Sequence, residues 1–223
     1  MCEHDLSKAK IITVKLIAVL LSLFVASANA IPIVINGSLE GPINNGGVPS
    51  GWNLILQSPD TIDQTSNLGF LGNLTFQATP SPSPDGGTWV GMAATDTVVE
   101  SFGQLVNGFS IGLNYDIAWY HANFGHAFGL HEANGIQVLI DGNVIGNGGL
   151  LSLGEGWFNE MLSFTATATS HQIEFRSLVT QLSYQSIDGI RISESNVNNA
   201  SAPLVSSLFI LSILFLMYSR QKH

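Results

Sequence analysis

Through the middle of this chain, apolar residues recur at every second position and form no convincing three-and-four spacing of an amphipathic helix. Tyr115, Ile117 and Trp119 alternate with Asp116, Ala118 and Tyr120, and Ile136, Val138 and Ile140 alternate with Gln137 and Leu139. Asp141-Gly142-Asn143 then makes a tight turn into Val144-Ile145, the pattern of a hairpin. Leu162, Phe164 and Ala166 form one face of a further strand, Thr169-Ser170 turn the chain, Ile173 and Phe175 return, and Ile190 and Ile192 finish the domain. Short runs of this period, separated by turn residues, predict an all-β fold, a sandwich or jelly roll. Residues 44–51 and 79–87 read as loops. In the second, Pro80, Pro82 and Pro84 remove backbone donors and block strand pairing.

Both ends carry a different pattern. Lys8, Lys10 and Lys15, an apolar run over 16–25 and Ala28-Asn29-Ala30 have the order of a cleavable signal peptide, so residues 1–30 are set apart from the fold. Residues 31–194 are then the β-sandwich domain, and 195–202 form a polar linker. Pro203 opens a hydrophobic tail, apolar over 204–218 and followed at once by Arg220 and Lys222. Such a tail predicts a short transmembrane helix with its basic flank in the cytoplasm and an exported body. The layout resembles the bacterial PEP-CTERM sorting tail, although the short motif here reads Ser201-Ala202-Pro203 and lacks its acidic residue. That resemblance implies an exosortase-like processing enzyme as a partner. A plain membrane anchor is the other reading.

Charge excludes one large class of function. Residues 31–202 hold fourteen Asp and Glu against Arg176 and Arg191, with no lysine. Nucleic acid, which needs a cationic surface, is therefore not an expected partner. The one cysteine, Cys2, lies in the signal peptide, so the domain has neither a disulfide nor a cysteine metal site.

Two sets of residues suggest chemistry. His121, His126 and His131 recur every five residues, in a segment that also contains Phe124, Phe128 and Glu132. A metal-dependent hydrolase would gather these histidines in a loop. Their spacing puts strand neighbours on opposite faces and argues against a preformed site. Trp52, Trp89 and Trp157 each stand beside glycine-rich turns, where a flat ring can stack on a sugar, and Tyr120 and His121 complete the candidate ligand set. Core packing is the competing reading for each tryptophan. No nucleophile elbow, phosphate loop or His-Glu-x-x-His is present, so no catalytic residue is assigned.

An ordered set of segments resembles the galactose-binding-like jelly rolls, which include carbohydrate-binding modules. It runs from Asn36-Gly37-Ser38-Leu39-Glu40 and Pro49-Ser50-Gly51-Trp52 through Asp85-Gly86-Gly87-Thr88-Trp89-Val90-Gly91 and Phe102-Gly103-Gln104 to Tyr115 through Tyr120. It continues with Val138-Leu139-Ile140-Asp141-Gly142 and Phe164-Thr165-Ala166-Thr167, and ends at Ile187-Asp188-Gly189-Ile190. The resemblance implies a jelly-roll β-sandwich that binds rather than catalyses. It also implies a structural Ca²⁺ held by Glu40 and Asp188, for which two carboxylates and backbone carbonyls from nearby loops are suitable ligands. The leading expectation is an exported cell-surface or matrix protein with a carbohydrate-binding, non-catalytic domain. The alternatives are the histidine-loop hydrolase and a purely structural matrix protein.

Overall fold

The computed structural model describes residues 31–66, 76–127, 129–178 and 181–195. The predicted signal peptide, the predicted tail, Phe128 and all of the predicted linker except Ser195 lie outside them. The described residues form ten strands: β1 (Asn53–Leu56), β2 (Asp60–Ile62), β3 (Trp89–Ala94), β4 (Ser101–Asn107), β5 (Asn114–Ala122), β6 (Ile136–Ile140), β7 (Asn143–Asn147), β8 (Phe158–Thr165), β9 (Ser170–Ser177) and β10 (Ser183–Glu194). They pair antiparallel in two five-stranded sheets, ordered β1-β4-β9-β6-β7 and β2-β3-β10-β5-β8. Stacked face to face, these sheets are a jelly-roll β-sandwich, the class that the alternating pattern predicts.

The period of two builds the core directly. Phe102, Ile136, Val138, Ile173 and Phe175 of the first sheet meet Val90, Met92, Tyr115, Ile117, Trp119 and Ile187 of the second, all buried. The β6–β7 hairpin closes through Asp141 and Gly142, whose φ angles of 50° and 78° are both left-handed. Two consecutive residues in that region match the twist of the paired strands, and Asp-Gly tolerates it well.

Two features position the functional surface. A second buried cluster of Ile62, Trp89, Ala122, Phe124 and Tyr184 lies apart from the main core, with Trp157 and Phe76 packed against it. On β3, Trp89 alternates with the core residues Val90 and Met92, so this cluster occupies the outer face of the second sheet. The other feature is a bulge in β10. Asp188 pairs with Tyr120 and Arg191 with Ala118, so one extra residue is accommodated at Gly189, whose φ is 58°. The extra residue lets Ile187 and Ile190 both face the core and puts Asp188 and Arg191 on the outer face, on either side of Tyr120.

Candidate functional site

Of the five predicted ligand residues, three are interior. Trp52 is buried, with its ring edge-on to Phe102 and Phe175 at 5.1 and 6.2 Å, and its Nε1 donates to the Asn36 carbonyl at 2.8 Å. Trp89 is 0% exposed and packs among Phe76, Phe124 and Trp157. His121 continues the inward series 115–117–119, is fully buried, and its Nε2 lies 2.6 Å from Gln185 Oε1. Burial lowers its pKa to about 4, against the opposing effects of Gln185 and Glu155. None of these three offers a ring face to a ligand, because neighbouring side chains cover it.

Trp157 and Tyr120 are different. Each is half-buried on the outer side of the second sheet. Trp157 leans on Trp89 and Phe124 at 5.3 and 5.7 Å, and its Nε1 donates to the Ser81 carbonyl at 3.1 Å. Tyr120 lies across the strand pair from Asn159. The Arg191 guanidinium sits 5.0 Å from the Tyr120 ring centre, donates to Gly189 O at 3.0 Å and also bonds Asn159 Oδ1. The result is a strip of two aromatic rings, one amide and one guanidinium, each fixed by a neighbour. Sequence reasoning did not find Arg191 or Asn159. The available signal was Asp188-Gly189, the bulge dipeptide that turns Arg191 toward Tyr120.

A cluster of carboxylates adjoins the strip. Asp188 is 0% exposed; its Oδ2 accepts from Ser83 Oγ, while its buried Oδ1 has no hydrogen-bond partner. Burial raises its pKa to about 7; the Ser83 and Gly189 donors oppose that, and the Asp85 and Glu40 carboxylates add to it. Glu40 is exposed and lies over Gly87, with Oε2 accepting from the Thr88 N–H at 3.2 Å. The structure thus brings the two predicted calcium ligands into one electrostatic neighbourhood, with Asp85 added. A buried carboxylate oxygen without a donor, flanked by two further carboxylates, fits a hard cation. Among the described residues no three His, Cys, Asp or Glu side chains converge on one point, so backbone carbonyls and water would complete the coordination.

The three histidines do not come together. His121 is interior, His126 is buried with its ring 5.2 Å from Tyr184, and His131 is exposed. His121 ends the inward face of β5, whereas His126 and His131 lie in the loop between β5 and β6, and the histidine-loop hydrolase has no metal centre among the described residues.

No family model matches the sequence, and no curated protein matches it. Among solved structures, the chain is similar to an arabinose-bound GH51 α-L-arabinofuranosidase, with 11% identity and a TM-score of 0.50 over 77% of this chain and 27% of that one. It is also similar to a family 35 carbohydrate-binding module from Clostridium thermocellum (11% identity, TM-score 0.40, 74% of this chain and 98% of that one). A third is the C-terminal CBM6 of a laminarinase from Zobellia galactanivorans (18% identity, TM-score 0.38, 61% and 100%). The chain spans about a quarter of the arabinofuranosidase, and at that identity the likeness shows the shared fold alone.

Proposed function

We propose that this β-sandwich binds carbohydrate without transforming it, through the Trp157–Tyr120–Asn159–Arg191 strip. The observation that supports this most is the pairing of half-exposed aromatic rings with an amide and a guanidinium already held in place. Sugar rings have apolar faces edged by hydroxyls, so aromatic surface beside fixed polar groups suits them. Calcium held by Glu40 and Asp188, with Asp85 beside them, would neutralise the carboxylate cluster and tie the N-terminal segment to β10. The ion's part is structural: it supplies positive charge to the buried Asp188 carboxylate and to the exposed ones beside it. The body is exported and at least transiently held at a membrane by the tail. Removing residues 203–223 should move it from the membrane fraction to the soluble one.

A glycan array probed with the purified protein tests the carbohydrate reading. Trp157→Ala and Arg191→Gln should each weaken retained signals by about tenfold or more, the scale of losing one anchoring contact. An array on which the wild-type protein retains no glycan, or on which both variants bind as wild type does, rejects the strip.

A further inference from the structure

The two sheets end side by side at β7 and β8, and a cavity of about 390 Å³ opens between these edges. That volume falls within the roughly 300–1,000 Å³ of small-molecule sites. Phe164 and Ile145 supply apolar surface, and Asp141, Asn143, Ser163 and Thr167 surround it with polar groups. No lysine or arginine lines it.

Asp141 is the anchor. Its side chain is 47% exposed to the cavity and solvent, yet both of its oxygens are tethered from behind. Oδ2 accepts from His171 Nδ1 at 2.6 Å, and Oδ1 accepts from the Gln172 N–H at 2.8 Å. His171 is 1% exposed, and its Nε2 accepts from the N–H groups of Thr167 and Ala168, both at 3.2 Å. With Nε2 accepting, the ring proton of the neutral imidazole sits on Nδ1 and points at Asp141. Burial alone would raise the Asp141 pKa, but the His171 and Gln172 hydrogen bonds outweigh it and lower it. A carboxylate whose geometry is set before a ligand arrives retains outward lone pairs for charge-assisted hydrogen bonds. The occupied Nε2 keeps His171 itself from taking a proton from a ligand. The arrangement therefore serves recognition.

We propose that this seam is a second binding site, for a neutral polyhydroxylated molecule such as a single sugar ring or sugar terminus. Its hydroxyls would donate to Asp141 and its apolar face would rest on the half-buried Ile145. Anionic ligands are disfavoured, because Asp141 is negative and no cation faces them. The proposal shares its ligand class with the strip but none of its residues. Trp157 and Phe164 are separated by roughly 20 Å of extended chain along β8.

Titrating the ¹⁵N-labelled protein with methyl glucoside, methyl galactoside, methyl mannoside and glycerol tests it. At least one glycoside should shift the amides of Asn143, Thr165, Thr167 and His171 along a single saturable curve. Asp141→Asn should weaken that binding about tenfold, the loss of one charge-assisted hydrogen bond. Ile145→Trp, which fills the cavity from β7, should abolish it with the fold intact by thermal melt, and so decides the matter even if Asp141→Asn folds poorly. Trp157→Ala should leave these shifts unchanged while losing array signal, which separates failure of the strip from failure of the seam. The seam is rejected if no glycoside saturates these amides, if glycerol binds them as tightly as the glycosides do, or if Ile145→Trp binds as wild type does.

Discussion

Two adjacent glycines do different work. Gly86 has a φ of 84° and open space where a Cβ would stand. Gly87 has a φ of 61°, and a Cβ there would fall 2.0 Å from both carboxylate oxygens of Glu40. Gly86→Ala should therefore cost only its backbone strain, on the order of 1–2 kcal/mol, and leave any response to calcium intact. Gly87→Ala must push Glu40 away. Melting curves with calcium and with chelator distinguish the two: wild type and Gly86→Ala should both melt higher in calcium, and Gly87→Ala should melt alike in both. A wild-type melt indifferent to calcium would reject the proposed ion. Glycine at 91 meets a neutral neighbour instead. There a Cβ would lie 2.2 Å from the Tyr184 hydroxyl, which donates to Asp60 at 2.6 Å, so Gly91→Ala should destabilise whatever the ion content.

Trp52 shows how one residue joins elements. It packs edge-on to Phe102 of β4 and Phe175 of β9, and its indole N–H closes the turn at Asn36. Trp52→Ala should cost about 3–5 kcal/mol by chemical denaturation, with glycan binding by the strip unaffected in the protein that remains folded. At this scale the sequence was most legible where the period of two held without interruption, as on β5, β6, β9 and the β6–β7 hairpin. His121 belonged to that legible part: the parity of Tyr115, Ile117 and Trp119 already places it in the core. Trp89 was harder to read. Its strand parity puts it on the outer face, and only packing by the distant Phe76, Phe124 and Trp157 buries it. Arg191 was hidden for a similar reason, since a bulge of one residue resets the alternation from which its direction would have been read.

Across the whole molecule, buried carboxylates tie stability to pH. Glu100 accepts from the Ala93 N–H at 2.7 Å and lies beside Asp60 and Ser58, with Tyr184 and then His126 beyond Asp60. Burial raises its pKa to about 7, the Asp60 charge adds to that, and the Ala93 and Ser58 donors oppose it. A carboxylate raised on folding contributes stability below its unfolded value near 4.5, and that contribution is lost as pH climbs through about 7. His121, lowered to about 4, acts in the opposite sense: its contribution is present above pH 6.5 and is lost as pH falls through about 4. The two partly cancel in wild type, so Glu100→Gln should expose the hidden slope. Between pH 4.5 and 8 its stability relative to wild type should improve by about 3 kcal/mol in urea denaturation at the two pH values. A difference that does not change with pH would show that Glu100 titrates normally.

The place of β10 has a mechanical consequence. This strand of twelve residues lies inside its sheet, bonded to β3 on one side and to β5 on the other, and it is the last of the described strands. Tension applied at the C-terminal end of β10 runs along the strand, across its hydrogen bonds to β5 over Ser186–Glu194 and to β3 over Ser183–Ile187. Those bonds lie perpendicular to the strand and must shear together, whereas an edge strand pulled from the side would release them one by one. Load applied at that end of the strand is therefore shared by many bonds at once.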